Sequence, residues 1–315
     1  MTNLKKIGLT ALAGTLASTA SSYAGELTVS GTAQMIYDTN STKTASTDAT
    51  SSEAFTTNTS LFFSGSGELD NGYAVSVTQN LTEAGFSSGS MSVDMGDMGK
   101  LMMYQVTNAA GIASIQDKVP NAGEQVWDDN AATHGGPADG IVDPNGGDDV
   151  LGYTVSANGF TLSTALSFPG DGAETSAALT ASGLVDGLTI GAGFGNDKQA
   201  TTDDDLSTAF ITYAAGPITI GAQQSKVEDD SASQDIERDA YGVTFAVNEN
   251  LSVSYGVSDT DYDTSSKVDE ENKGISASYT TGGMTVGLVN NTKDNANGTS
   301  GTNQETTEIK LTFAF

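Results

Sequence analysis

The sequence predicts an all-β protein, a 16-stranded antiparallel transmembrane β-barrel with short periplasmic turns and long extracellular loops. Three observations predict it. Apolar and polar residues alternate with a period of two along almost the whole chain. Tight turns alternate with long polar connections, and aromatic residues recur near both ends of the apolar faces.

The alternation is plainest in four segments. Residues 27–37 set Leu27, Val29, Gly31, Ala33, Met35 and Tyr37 on one face, with Thr28, Ser30, Thr32 and Gln34 on the other. Tyr241, Val243, Phe245 and Val247 oppose Gly242, Thr244 and Ala246. Leu251, Val253, Tyr255 and Val257 oppose Ser252, Ser254 and Gly256, and Ile309, Leu311, Phe313 and Phe315 oppose Glu308, Lys310, Thr312 and Ala314. Further segments fall near 57–69, 73–82, 86–95, 98–106, 150–156, 159–168, 176–183, 188–195, 206–214, 217–225, 273–280 and 283–290. The stretch from Met91 to Met103 breaks the pattern. An even number of strands is what a bacterial single-chain barrel requires.

Connections sort by length. Short turns are expected at Asp70-Asn71-Gly72, Ala157-Asn158-Gly159, Val185-Asp186-Gly187, Ala215-Gly216-Pro217, Asn248-Glu249-Asn250 and Thr281-Gly282-Gly283. Asn-Gly and Asp-Gly suit tight hairpins because positive φ is accessible to them. Long loops are expected at 38–56, 107–149, 196–205, 226–238, 259–272 and 291–305, the first of them a low-complexity Ser/Thr run. With these directions Tyr73, Phe160, Tyr213, Tyr279 and Phe313 fall near one rim, and Tyr37, Tyr241 and Tyr255 near the other. Two interfacial girdles demand this, and a soluble sandwich does not. The outer face would then meet outer-membrane lipid.

Residues 1–24 are expected to be a signal peptide: Lys5 and Lys6, an uncharged stretch from Ile7, and a small-residue site at Ser22-Tyr23-Ala24. The barrel domain then occupies 25–315. Removing the two lysines takes the formal charge from −28 to about −30, which argues against nucleic acid as a partner. There is no cysteine, so neither disulfides nor thiolate metal sites can form.

Other chemistry is thin. An enzyme is not expected: a Ser–His–acid arrangement would have to use His134, the one histidine, and no nucleophile elbow accompanies it. No cofactor is expected beyond calcium, for which Asp143, Asn145, Asp148 and Asp149 offer oxygen ligands beside glycines, without EF-hand spacing.

The sequence resembles the general porin family of Gram-negative outer membranes, most closely its alphaproteobacterial branch. Three features carry the resemblance. A leader is followed at once by a first strand from Gly25 to Tyr37. Leu311, Phe313 and Phe315 alternate at the chain end and look like the signal read by the barrel-assembly machinery. Gln116 to Asp128, within the longest loop, looks like the segment of the third extracellular loop that folds into the porin lumen. The resemblance implies localisation in the cell outer membrane, a homotrimer, and passage of ions and small hydrophilic solutes. It implies a constriction at Asp117, Lys118, Glu124, Asp128 and Asp129, whose acidic excess favours cations. The family often opposes such a loop with an arginine ladder, whereas this chain has one arginine, Arg238. The basic pore wall would rest on Arg238, Lys100 and Lys310. The alternative is a non-conducting structural or adhesive barrel plugged by its long loop. Small lumen-facing residues (Thr189, Gly191, Gly193, Thr219, Gly221, Ser252, Ser254, Gly256) leave space and favour the pore.

Overall fold

The computed structural model describes residues 27–105, 109–128, 149–168, 172–198, 203–229 and 235–315. Its strands are β1 (Leu27–Thr44), β2 (Thr47–Glu68), β3 (Ala74–Thr82), β4 (Gly85–Asp94), β5 (Lys100–Gln105), β6 (Val150–Ala157), β7 (Phe160–Ser167) and β8 (Glu174–Ser182). They continue with β9 (Leu188–Lys198), β10 (Asp203–Ala215), β11 (Ile218–Asp229), β12 (Ile236–Ala246), β13 (Leu251–Tyr262), β14 (Glu270–Thr281), β15 (Met284–Asp294) and β16 (Asn303–Ala314). Each strand is antiparallel to its chain neighbour, and β1 pairs with β16 to close the barrel. This is the expected fold class.

Alternation decides which side chains meet which medium. Register sets Val29 beside Phe63, Met35 beside Leu311, and Tyr37 between Phe55 and Ile309, so apolar groups align around the outside. They are exposed: Val29 by 57%, Ile220 by 50% and Leu288 by 45%. An apolar surface of this extent is stable only against another apolar medium. Lysine at mid-wall Val253 or Leu162 is therefore expected to destabilise by about 2–4 kcal/mol, against about 0–1 kcal/mol at rim positions Tyr213 or Tyr279. Urea unfolding from lipid vesicles measures this, and equal tolerance at all four positions would mean that these faces do not meet lipid.

The tight turns form one rim. Asn158 and Gly159 both hold positive φ, 53° and 81°, as a two-residue hairpin turn requires. At Gly187 a Cβ would lie 2.1 Å from the carbonyl oxygen of Ala214, so no other residue fits. Both turns are also tied to the strand beyond the one they start: Ser182 N of β8 donates to Gly159 O at 2.8 Å, and Ala214 N of β10 to Gly187 O at 2.9 Å.

The opposite rim corrects the sequence reading. Residues 38–56 are not a solvated loop. β1 runs to Thr44 and β2 starts at Thr47, paired from Asp38–Ala54 to Thr42–Thr50. The loops expected at 196–205, 226–238, 259–272 and 291–305 shorten likewise, because β9, β11, β13 and β15 continue to Lys198, Asp229, Tyr262 and Asp294. Beyond the apolar belt both faces of the hairpin carry polar residues, so apolar alternation vanishes. The ladder needs only backbone groups, and β-branched threonine suits it.

Candidate pore constriction

The connection after β5 turns into the barrel, and residues 109–128 lie along the inner wall from β6 to β16. This segment is irregular backbone removed from bulk water, so its polar groups need partners. The wall supplies them. Gly111–Ile115 forms a short 3₁₀ turn whose first amides donate to the wall: Gly111 N to Ser163 Oγ at 2.9 Å, Ile112 N to Ser176 Oγ at 3.1 Å. Gln223 of β11, 5% exposed, does most. Its Nε2 donates to the carbonyl oxygens of Ile115 (2.8 Å) and Gln116 (2.6 Å), and its Oε1 accepts from Lys118 N at 2.7 Å. Further along, Ala122 N donates to Ser254 Oγ at 2.9 Å.

Apolar contacts fix the same path. Ile112 packs with Leu206, and Ile115 with Ala178 and Phe210. Lumen-facing glycines receive the loop. A Cβ on Gly221 would lie 2.5 Å from Pro120, on Gly242 2.5 Å from Val119, and on Gly256 2.8 Å from Val126. Gly193 faces Ile112 in the same way, whereas Gly191 receives the Phe210 ring of neighbouring β10. Of the small residues expected to leave open space, Gly193, Gly221, Ser254 and Gly256 instead form the seat of the loop.

Two buried charge groups pin the loop further on. Trp127, 3% exposed, lies under the Arg238 guanidinium, 5.2 Å from ring centroid to Cζ. Arg238 Nε donates to Thr260 Oγ1 at 3.1 Å, and Glu270, Asp117 and Asp128 are carboxylates whose fields reach it. At the far end Lys310 of β16 pairs with Glu124 of the loop and, at 2.9 Å, with Glu308, which is 1% exposed.

The named residues thus separate. Glu124 and Lys310 come together, and Asp117 and Asp128 gather toward Arg238. Asp117 is exposed, Lys118 half-buried, and Asp128 accepts from Gln125 N at 3.2 Å. Lys100 stands apart at the foot of β5, in register with Asp94. Leu311 and Phe313 lie on the outer face of β16 beside Met35 and Ala33, and Phe315 meets Gly31 at the seam. Asp129, His134, Asp143, Asn145 and Asp148 lie outside the described residues. Asp149, immediately before β6 at the long-loop rim, is exposed. Among the described residues no group of three or more His, Cys, Asp or Glu side chains could hold a metal ion. Gln223, Ser163, Ser176 and Glu308 were not anticipated. The one available signal was a long amide at Gln223, on a face otherwise built from Thr219, Gly221 and Ser225.

The loop divides the lumen. Under it many inward-facing residues of β7–β16 are buried, among them Ser163, Ser176, Gln223, Ser258, Asn272 and Glu308. Across from it the inward faces of β1–β4 stay open: Gln34, Ser60, Thr78 and Ser90 are partly exposed and Asn58 is exposed. A closed barrel with an apolar outer wall and a chain segment laid across part of its lumen defines an outer-membrane channel.

The chain belongs to the Gram-negative porin family, whose sequence pattern matches residues 8–286, and its place is the cell outer membrane. No curated protein sequence matches it. Among solved structures, a porin refined at 1.8 Å is 19% identical with a TM-score of 0.63, and the anion-selective porin from Comamonas acidovorans is 17% identical with 0.63. A triple mutant of the Rhodopseudomonas blastica porin is 13% identical with 0.66. In each case 92% of this chain and 100% of the other are covered. At such identities the likeness is one of fold.

Proposed function

We propose that the protein is a passive diffusion channel for ions and small hydrophilic solutes, working as a homotrimer and preferring cations. The observation that supports conduction is the divided lumen: loop packing on the β5–β16 side leaves the polar faces of β1–β4 accessible. The rival, a plugged structural or adhesive barrel, would show no single-channel conductance in a planar bilayer. Outer-membrane lipid covers the apolar wall, and the barrel-assembly machinery reads Leu311, Phe313 and Phe315.

Cation preference rests on the loop. From Gln116 to Asp149 the sequence holds eight carboxylates and, as its one lysine or arginine, Lys118. Carboxylates at a narrow point favour cations, and low-dielectric walls strengthen their field. A fold relative from Comamonas is anion-selective, so side chains and not the barrel set the sign. Reversal potential across a KCl gradient is expected to show cation preference. It should weaken when Asp117, Glu124, Asp128 and Asp129 are changed to Asn or Gln. An anion-selective parent, or an indifferent variant, sinks the proposal.

A further inference from the structure

The open half of the lumen differs from the covered half in charge. Asp38 near the top of β1 is 5% exposed, in register with Glu308 and hydrogen-bonded by Asn40 at 3.1 Å. At the opposite rim stand Glu68, Asp94 and Lys100, the last two in register with each other. Between these levels every inward-facing residue of β1–β5 is uncharged. Hydroxyls and amides dominate: Gln34, Asn58, Ser60, Ser64, Thr78 and Ser90. They already exchange hydrogen bonds across strands, as in Ser64 Oγ to Thr78 Oγ1 at 3.3 Å and Ser76 Oγ to Ser92 Oγ at 2.7 Å.

The bases that could have faced the acidic loop across the lumen are elsewhere. Arg238, 4% exposed, is stacked on the Trp127 ring, and Lys310 is held between Glu124 and Glu308. Both sit on the same side of the barrel as the loop, so no positive wall opposes the carboxylates among the described residues.

Building on the channel reading above, we infer that the path is selective for uncharged polyhydroxylated solutes, sugars and polyols, over zwitterions and anions of the same size. A neutral polyol entering the constriction exchanges hydrogen bonds with water for bonds to hydroxyls and amides, which both donate and accept. A zwitterion gives up hydration at two charged ends and finds a counter-charge for one. An anion meets carboxylates and dipoles, with Lys118 the one loop cation between Gln116 and Asp128 to offset them.

Swelling of proteoliposomes containing the intact, membrane-assembled protein tests this with glucose, gluconate and glutamine as probes. Glucose is expected to enter severalfold faster than gluconate or glutamine. The double variant Ser60→Arg, Ser90→Arg puts bases on the open wall. It is expected to slow glucose, speed gluconate and move the reversal potential toward anions. Gluconate or glutamine entering the parent as fast as glucose overturns the inference while leaving the channel standing, as does an unchanged order in the double variant. Absence of both swelling and conductance overturns the channel reading and the inference with it.

Discussion

Replacing Phe315 with Asp is expected to remove most of the protein from the outer-membrane fraction while export continues. The seam explains the size of the effect. Phe315 N donates to Gly31 O at 3.0 Å and Gly31 N donates to Phe315 O at 2.7 Å, so these two residues form the last rung joining β16 to β1. Gly31 is the receiving surface: a Cβ there would stand 2.9 Å from the Phe315 ring, 2.8 Å from Leu61 and 2.8 Å from the Ser60 carbonyl oxygen. An aspartate puts a charge at this point on the lipid-facing side and removes the ring that covers the glycine. An open seam in lipid leaves strand edges unpaired, which a membrane interior does not tolerate. Heat-modifiable mobility on gels and cell fractionation measure the outcome. Normal surface levels of folded variant would show that closure does not depend on this contact.

Lys310→Met is expected to detach the far end of the loop and to raise single-channel conductance. Lys310 stands between two carboxylates, Glu124 of the loop and Glu308 of the wall, and Glu308 is 1% exposed. Removing one partner of a buried pair destabilises by about 3–5 kcal/mol, because the other charge stays unpaired away from water. Here the nearby carboxylates also repel, and the part free to move is the loop, since β16 is held by β15 and β1. Conductance should rise with broader open-channel noise, and Glu308→Gln added to Lys310→Met should restore much of the parent behaviour. Unchanged conductance in the single variant would show that Gln223 and the glycine seat hold the loop without the charges.

What could be read beforehand follows from which residues face a uniform medium. Val29, Val253 and Leu288 repeat because lipid makes the same demand at each of them, and a repeated demand is visible in one dimension. The hairpin above Tyr37 was invisible because water makes no such demand, so Thr39 to Thr56 could pair without any apolar pattern. The site was legible in part. The inward course of Gln116–Asp128 was anticipated from a family likeness and not from spacing, and Arg238 and Lys310 were named as pore wall. Their burial under the loop was not foreseen, because it depends on contacts between positions more than 100 residues apart, such as Gln223 with Ile115 at |i−j| = 108. The glycines misled for the same reason: Gly221 and Gly256 leave space, and sequence alone does not say what fills it.

The way Gln223, Ser163, Ser176 and Ser254 hold the loop has a consequence for descent. All four grip its main chain, through amides and carbonyls that every residue carries alike. Substitution at a solvent-facing loop position such as Asp117 or Asn121 therefore leaves those grips in place. A lineage exposed to new nutrients can exchange these side chains one at a time, altering what the opening admits while the loop stays seated. The wall keeps the address and the loop is free to change the lock.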